Sequence, residues 1–227
     1  MSVSAISQAL VSKPDFAPDG AVLLYDPAVE HVGVLLEGLE DQCAAVPAGA
    51  NDIHQVLTGL LQAGSVHTIH LLGHGAPGGI FFENVFINGN IWEGLVRESA
   101  TGRAPSSIQT INFWSCETGR GEIGMKFLKQ VADSTGATVH GSDRKVGSAE
   151  HGGSWELGRH AAPRPPFSDQ AIASFDGVLD HDELRIVSIT ADIGDGTYAP
   201  GQPIVFTAIM SEQVTAGSSM TLTLSNG

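Results

Sequence analysis

Over the first 180 residues, short apolar runs alternate with segments whose apolar residues recur every three to four positions. The short runs predict strands at 21–26, 44–46, 68–72, 108–114 and 137–141. The helical spacing predicts helices at 30–41, 51–62, 88–98 and 121–135. Because strands alternate with helices, we expect an α/β fold, a three-layer sandwich around a mainly parallel sheet.

Details of the pattern extend this prediction. The apolar runs at 80–82 and 85–87 flank a two-residue turn and predict a β-hairpin, and 153–157 predicts a further strand. Asn51 is the predicted N-cap of the second helix. The inward face predicted for the helix at 121–135 consists of Ile123, Phe127, Leu128 and Val131.

The pattern changes after the last of these elements. Residues 158–182 shift to an Ala/Pro/Arg-rich composition that predicts a trailing segment and a linker. Beyond it, alternation with a period of two at 184–189, 203–210 and 220–224 predicts the opening strands of an immunoglobulin-like β-sandwich. Three strands cannot close such a core, so we expect a longer parent protein. The predicted domains are an N-terminal extension (1–20), an α/β domain (21–180) and a truncated β-sandwich segment (181–227).

Composition and charge exclude several classes of function. The 227 residues are 42% hydrophobic and carry a net charge of −14, which repels nucleic acid and anionic lipid. This charge favours basic ligands or polypeptides; the simpler alternative is that the acidic surface serves only solubility. No apolar run has the length of a membrane span. The N-terminus lacks the basic and apolar regions of a secretory signal. We therefore expect either a cytoplasmic protein or export by a route that does not use an N-terminal signal.

Candidate catalytic residues follow two of the predicted core strands. His74 comes just after the strand at 68–72, and Cys116 just after the strand at 108–114. A cysteine attacks well as the thiolate, and a neighbouring imidazole generates and stabilises that thiolate. The carboxyl ends of parallel strands are also where open α/β sheets place their sites. The alternative is an ordinary loop histidine and an ordinary buried thiol.

The sequence gives less support to a metal site or a disulfide bond. Three histidines, His67, His70 and His74, lie close together, but the spacing puts the first two on opposite faces of a strand, so we predict no metal site. The two cysteines, Cys43 and Cys116, are too few for a disulfide-rich scaffold or a Cys-based zinc site. A single bridge between them is conceivable, although a buried, inert Cys43 is the simpler interpretation.

Four motifs in order along the chain carry a resemblance to a known family. They are Gly73-His74-Gly75-Ala76-Pro77-Gly78, Ser115-Cys116, Gly124-Met125-Lys126-Phe127-Leu128 and Gly152-Gly153-Ser154-Trp155-Glu156-Leu157. With them, the first 180 residues resemble a caspase-like domain of unknown function (number 4347) found in large bacterial surface and adhesin proteins. The stretch from Ser115 to Gly119 is also similar to the cysteine motif of CHAT peptidases, which are relatives of caspases. Residues 184–227 resemble bacterial immunoglobulin-like repeats. Trp114 departs from the small or Tyr-Gly context usual before the cysteine.

The resemblance implies a caspase-haemoglobinase fold and a role for each motif residue. Cys116 would be the nucleophile, and His74 the general base and acid. The backbone N–H groups of Gly75 and Cys116 would hold the oxyanion. A glycine at 75 would be needed because a Cβ there would crowd the substrate carbonyl.

The same resemblance suggests substrate-binding residues, each with a simpler alternative. Asp143 lies where caspase relatives line the pocket for the residue before the scissile bond, and would select arginine or lysine by charge. Alternatively it is a turn aspartate paired with Arg144 or Lys145. Glu117 would either orient substrate or simply begin its loop.

Two classes of function follow from the sequence. The first is a cysteine endopeptidase that cleaves polypeptides, including its own large parent protein, at the cell surface or outside the cell. The second is a non-catalytic binding or adhesion-associated module on the same frame. We predict no cofactor. Asp192, Asp195 and Glu212 could form a calcium site between repeats, but the simpler interpretation is that they are turn residues.

Overall fold

The computed structural model describes residues 20–99, 107–158, 163–180, 186–194 and 203–210. The chain forms two units, residues 1–181 and 182–227. Several predictions lie outside the described residues: most of the N-terminal extension, most of the loop at 100–107, the strand at 220–224, and the side chains of Asp195 and Glu212.

The first unit contains eight strands and five α-helices among its described residues. In chain order they are β1 (Ala21–Tyr25), α1 (Val32–Glu37), β2 (Cys43–Pro47), α2 (Ile53–Gln62), β3 (Thr68–Leu72), β4 (His74–Ala76), β5 (Gly79–Phe82), β6 (Val85–Asn88), α3 (Gly89–Ser99), β7 (Thr110–Trp114), α4 (Gly121–Thr135), β8 (Thr138–Gly141) and α5 (Asp169–Ser174). Five of the strands form one sheet in the order β2-β1-β3-β7-β8, with every pair parallel. The predicted α/β class with a parallel sheet is therefore confirmed.

An apolar core lies on each face of the parallel sheet, because neighbouring strand residues point to opposite faces. Val22 and Phe113 belong to a core shared with α2, α3 and α4. Leu23 and Trp114, one residue along, belong to a second core shared with α1 and α5. A strand buried on both faces is mostly apolar, which is why β1 reads as an unbroken hydrophobic run and β7 as a run broken only by Thr110 and the buried Asn112.

A smaller antiparallel sheet, β4-β5-β6, follows β3 directly. The hairpin of β5 and β6 is confirmed, with Glu83 at a φ of 52° in its turn. The sequence pattern did not predict the third strand, β4, which begins at His74 and pairs with β5. Because β4 turns away from the parallel sheet immediately after β3, His74 lies at the junction of the two sheets.

Four details of the sequence prediction were wrong. Helix α1 ends at Glu37 with Gly38 as its C-cap, before the predicted end at 41; glycine is needed at 38 because a Cβ there would lie 2.3 Å from Ala171 of α5. The N-cap of α2 is Asp52 rather than Asn51. Ile123 is 40% exposed because α4 turns Gly124 inward instead. Residues 153–157 form no strand; they make one isolated bridge to Val146.

The segment predicted to be a linker belongs, through residue 180, to the second core. Helix α5 begins after Ser168, whose side chain accepts a hydrogen bond from the N–H of Ala171. Phe167, Ala171, Phe175 and Leu179 are all buried in the core that contains Trp114. The pattern concealed this role because the buried residues are spaced four apart across a helix and an extended segment.

The described part of the second unit is one antiparallel pair, β9 (Ile186–Ala191) and β10 (Phe206–Met210). The N–H of Val205 donates to the carboxylate of Asp192 at 3.0 Å, which is a turn-type role for this aspartate. Across the described part of both units, no helix combines the length and apolar character needed to cross a membrane.

Candidate functional site

The two candidate catalytic residues follow neighbouring strands at the same height. In the parallel pair β3–β7, Leu72 lies opposite Trp114, and Gly73 donates its N–H to the carbonyl of Trp114 at 3.4 Å. His74 and Cys116 each come two residues beyond this matched pair. The strand register therefore brings both residues to the carboxyl edge of the sheet.

Gly75 lies against the backbone of Cys116. A Cβ at position 75 would lie 2.1 Å from the carbonyl oxygen of Cys116 and 2.6 Å from its nitrogen. The nearest obstacle to a side chain at 75 is thus the Cys116 backbone, rather than the substrate carbonyl that the sequence argument named. Glycine is needed here because two backbones approach too closely for a side chain to fit between them.

The N–H groups of Gly75 and Cys116 converge on a single acceptor. Both donate to the carbonyl oxygen of Leu179, at N···O distances of 3.0 and 3.1 Å respectively. Two backbone donors aimed at one carbonyl are the geometry of an oxyanion hole. In this structure, the carbonyl that they hold belongs to the protein's own chain.

Leu179 is part of an extended segment, residues 177–180, which we call the occluding segment. It pairs antiparallel with residues 146–148: Ser148 donates to Gly177 at 2.8 Å, and Leu179 donates to Val146 at 2.8 Å. Gly147, at a φ of 134°, allows this close approach, since a Cβ there would lie 2.4 Å from the Gly177 oxygen. The segment is held there by isolated bridges to Gly147 and Gly75, a limited form of the pairing that an extended peptide makes when it binds a sheet edge.

His74 contacts the occluding segment on the other side of Leu179. Its Nδ1 lies 2.7 Å from the carbonyl oxygen of Asp180. Because a carbonyl can only accept, Nδ1 carries the proton and Nε2 is the basic nitrogen of the neutral ring. The carboxylate of Asp180 in turn forms an ion pair with Lys145 at 2.6 Å.

The Cys116 thiol has no exposed surface. Its Sγ accepts a hydrogen bond from the N–H of Val146 at 3.1 Å. Burial raises the pKa of Cys116 to about 12, and Asp180 and Glu117 act in the same direction, whereas the Val146 hydrogen bond and Lys145 oppose them. With the occluding segment in place, the sulfur is therefore a neutral thiol.

The loop that carries Cys116 is held by its own hydrogen bonds. The hydroxyls of Ser115 and Thr118 lie 2.5 Å apart, and Thr118 also donates to the carbonyl of Gly79 in β5. Glu117 has a φ of 57° and its carboxylate contacts Arg120 at 2.5 Å. These contacts fix the loop against the small sheet, and they direct the carboxylate of Glu117 toward a neighbour in its own loop.

Asp143 lies at the surface, with its side chain 47% exposed and 3.5 Å from Arg144. This ion pair matches the alternative of a turn aspartate. Lys145, in the same loop, forms the ion pair with the occluding segment. The sequence suggested Lys145 only as a partner for Asp143.

His70 lies in β3, four residues before His74, and its surroundings suit a structural role. It is 7% exposed, and its Nδ1 accepts the indole N–H of Trp114 at 2.9 Å. Burial lowers the pKa of His70 to about 4, so the ring is neutral near pH 7. No group of three or more potential metal-ligating side chains occurs within the described ranges.

Sequence reasoning missed the edge at 145–147 and the occluding segment. Two signals were available: Gly147 and Gly153 bracket a turn, and an apolar Val178-Leu179 pair follows the Asp176-Gly177 turn. Neither signal indicates that the pair returns to the cysteine. A cavity of about 480 Å³ beside Gly147 and Trp155 includes neither Cys116 nor His74 in its lining, which agrees with a covered thiol.

A comparison with curated proteins gives no match to this chain. A family described as a domain of unknown function, DUF4347, matches residues 22–179, from the second residue of β1 to Leu179. This stretch contains the parallel sheet, both candidate catalytic residues and most of the occluding segment. Because the match spans more than half of the chain, the protein belongs to the DUF4347 family.

Proposed function

We propose that the protein is a cysteine endopeptidase in which Cys116 is the nucleophile and His74 the general base and acid. One observation carries the proposal: the N–H groups of Gly75 and Cys116 converge on one peptide carbonyl, at 3.0 and 3.1 Å. Donors at this distance stabilise the oxyanion that forms when a thiolate attacks an amide. The acceptor is a peptide bond in extended conformation, which supports a polypeptide substrate.

The architecture supports a caspase-haemoglobinase type of fold. Histidine and cysteine follow neighbouring parallel strands, β3 and β7, in matched register. An apolar core covers each face of the sheet, as a three-layer sandwich requires. We propose that the DUF4347 domain is a member of this peptidase clan.

The wider biological setting belongs to the same proposal. The antiparallel pair β9–β10 supports an immunoglobulin-like segment after the catalytic domain. Such an arrangement suits a large surface or adhesin protein that is a substrate of its own domain. The net charge of −14 favours polypeptide over nucleic acid as the partner.

A non-catalytic binding module is the second candidate, and the buried thiol favours it. Cys116 has no exposed surface and its pKa is raised to about 12. Inert buried cysteines have these properties, and Cys43 of the second core, which is 8% exposed, likewise has a pKa raised by burial to about 12. The two candidates differ in one measurable property, the reactivity of Cys116 toward a substrate mimic.

Labelling by a peptide acyloxymethyl ketone tests the proposal. The purified chain is incubated with the probe for several days, and the modified residue is identified by peptide mapping. We expect Cys116 to be labelled in the wild type and in a Cys43→Ala control, and no label in Cys116→Ala. A His74→Gln variant should label about 10²-fold more slowly, because it lacks the base. Equal, background labelling of all four proteins would favour the binding module.

A further inference from the structure

The occluding segment lies across the candidate site as a bound substrate would. We infer that the peptide bond between Leu179 and Asp180 is the bond that the domain cleaves, in its own chain. This inference rests on the proposed peptidase function and names its substrate and its specificity.

The position of the Leu179 carbonyl identifies the bond. In acyl transfer, the oxygen held by the two oxyanion donors belongs to the residue whose carbonyl carbon is attacked. That oxygen is the oxygen of Leu179, held by Gly75 and Cys116. The pairing of Leu179 with Val146 fixes the register, so a shift by one residue would place a different face of the segment at the cysteine.

The side chain of Leu179 gives the specificity. It is fully buried, in the same apolar core as Leu72, Trp114, Val146 and Leu157. A pocket lined in this way accepts a medium-sized apolar side chain and rejects a charged one, since burying an unpaired charge is costly. We therefore assign to the site a preference for leucine before the scissile bond. The basic residues suggested by Asp143 do not suit this pocket.

The residue after the bond is held by two polar contacts. The carbonyl of Asp180 accepts from His74 Nδ1 at 2.7 Å, and its carboxylate pairs with Lys145 at 2.6 Å. The leaving nitrogen is the backbone nitrogen of Asp180 itself. The Nδ1 hydrogen bond therefore orients the imidazole on the residue whose nitrogen must be protonated when the bond breaks, and the proton itself would be carried by Nε2.

The reaction is a hydrolysis in two steps. The thiol proton of Cys116 passes to the His74 ring, and the sulfur forms a bond to the carbonyl carbon of Leu179. The carbon–nitrogen bond then breaks, and the nitrogen of Asp180 keeps the electron pair and takes a proton from the imidazolium. Water then gives a proton to the His74 ring and attacks the thioester; the carbon–sulfur bond breaks, the sulfur takes the proton back from the imidazolium, and the carboxylic acid left on Leu179 releases its proton to solvent.

The location of the bond along the chain agrees with a processing site. It lies in the first unit, shortly before the boundary at residues 181 and 182. Cleavage would leave the catalytic residues Cys116 and His74 on one fragment and the whole second unit on the other. A bond that separates two units in this way is a suitable target for self-processing.

The test uses the full chain and variants that act on the bond without removing Leu179. Asp180→Pro keeps the side chain at 179 but replaces the leaving amide by a tertiary one without a proton. Asp180→Asn is its matched control, because it also loses the ion pair with Lys145 but keeps a normal peptide bond. Cys116→Ala removes the nucleophile. Circular dichroism and thermal melting establish that each variant is folded.

Intact mass is followed over days, with and without calcium, and a parallel sample receives a leucine-terminated peptide acyloxymethyl ketone. We expect fragments that end at Leu179 and begin at residue 180 in the wild type, and the same cut, made more slowly, in Asp180→Asn, because that variant has lost the ion pair with Lys145. The same fragments should fall at least 100-fold in Asp180→Pro and be absent in Cys116→Ala. Cleavage that depends on Cys116 but occurs at another bond would overturn the assignment while leaving the peptidase in place.

Two further outcomes separate the inference from the function on which it rests. An intact wild-type chain whose Cys116 reacts with the probe would overturn self-cleavage and retain the peptidase. An intact chain with an unlabelled Cys116 in every variant would overturn both.

Discussion

The contact between Gly75 and Cys116 gives a quantitative prediction for Gly75→Ala. The new methyl group would lie 2.1 Å from the Cys116 oxygen and 2.6 Å from its nitrogen, and both neighbours are backbone atoms that cannot rotate away. The substitution must therefore move β4 and the Cys116 loop apart. That movement also lengthens the two hydrogen bonds that hold the carbonyl of Leu179.

The magnitude follows from these two effects. Overpacking in a tight site costs about 1–3 kcal/mol, and weakening the hydrogen bonds adds about 1 kcal/mol. We expect Gly75→Ala to lower the free energy of unfolding by about 2–4 kcal/mol. The matched control is Gly59→Ala in α2, where a Cβ meets nothing within 4 Å. Alanine there should stabilise the helix by about 0.5–1 kcal/mol.

Urea denaturation followed by tryptophan fluorescence measures both effects. The chain has three tryptophans, at positions 92, 114 and 155, so the signal comes from the first unit alone. In mild denaturant that displaces the occluding segment in both proteins, the labelling rate of Cys116 should also fall by about 10²–10³, since the substitution displaces one donor of the proposed oxyanion hole. A Gly75→Ala protein within about 0.5 kcal/mol of the wild type that labels at the same rate would refute the close contact.

Two further predictions concern pH. The pKa of His70 is lowered from 6.5 to about 4. Between these two pH values the ring is protonated in the unfolded state and neutral in the folded state. Stability should therefore be full above about pH 6.5 and fall by about 3 kcal/mol as the pH drops to 4; a His70→Asn variant with the same pH dependence in urea titrations would contradict this. For Cys116, whose pKa is about 12, the thiolate fraction rises tenfold per pH unit. In a Cys43→Ala background, alkylation by iodoacetamide should rise with pH from 7 upward, whereas a rate independent of pH would contradict a neutral thiol.

The elements that could be predicted from the sequence are those with a strong local signal. The short, mainly apolar run of β3 and the helical spacing of α4 each identify one type of element. The sequence did not indicate that Leu72 lies opposite Trp114. It did indicate that His74 and Cys116 follow the two strands, because those positions depend only on where each strand ends. Alternation of strands and helices was enough to predict the parallel sheet.

What could not be predicted depends on contacts between distant residues. Leu179 and Cys116 are far apart in sequence, and nothing local to residues 177–180 indicates that they pair with Val146 or accept from Gly75. The same applies to the ion pair of Lys145 with Asp180, because aspartate is usually a surface residue and nothing in the neighbouring sequence indicates its partner. Sequence reasoning therefore located the two catalytic candidates and missed what covers them.

The double role of Leu179 links the reactivity of the domain to its stability. The same side chain fills a core and covers a sulfur atom, so the segment cannot leave without opening a hole of one leucine. Removing a leucine from a core costs about 2–5 kcal/mol, which is a substantial part of the stability of a typical domain. The form in which the occluding segment has left its place is then a rarely populated, partly opened state of the folded protein. The accessibility of Cys116 to a reagent measures the population of that form. Mild denaturant, or tension on the chain beyond residue 180, would populate that form well before the rest of the sheet unfolds.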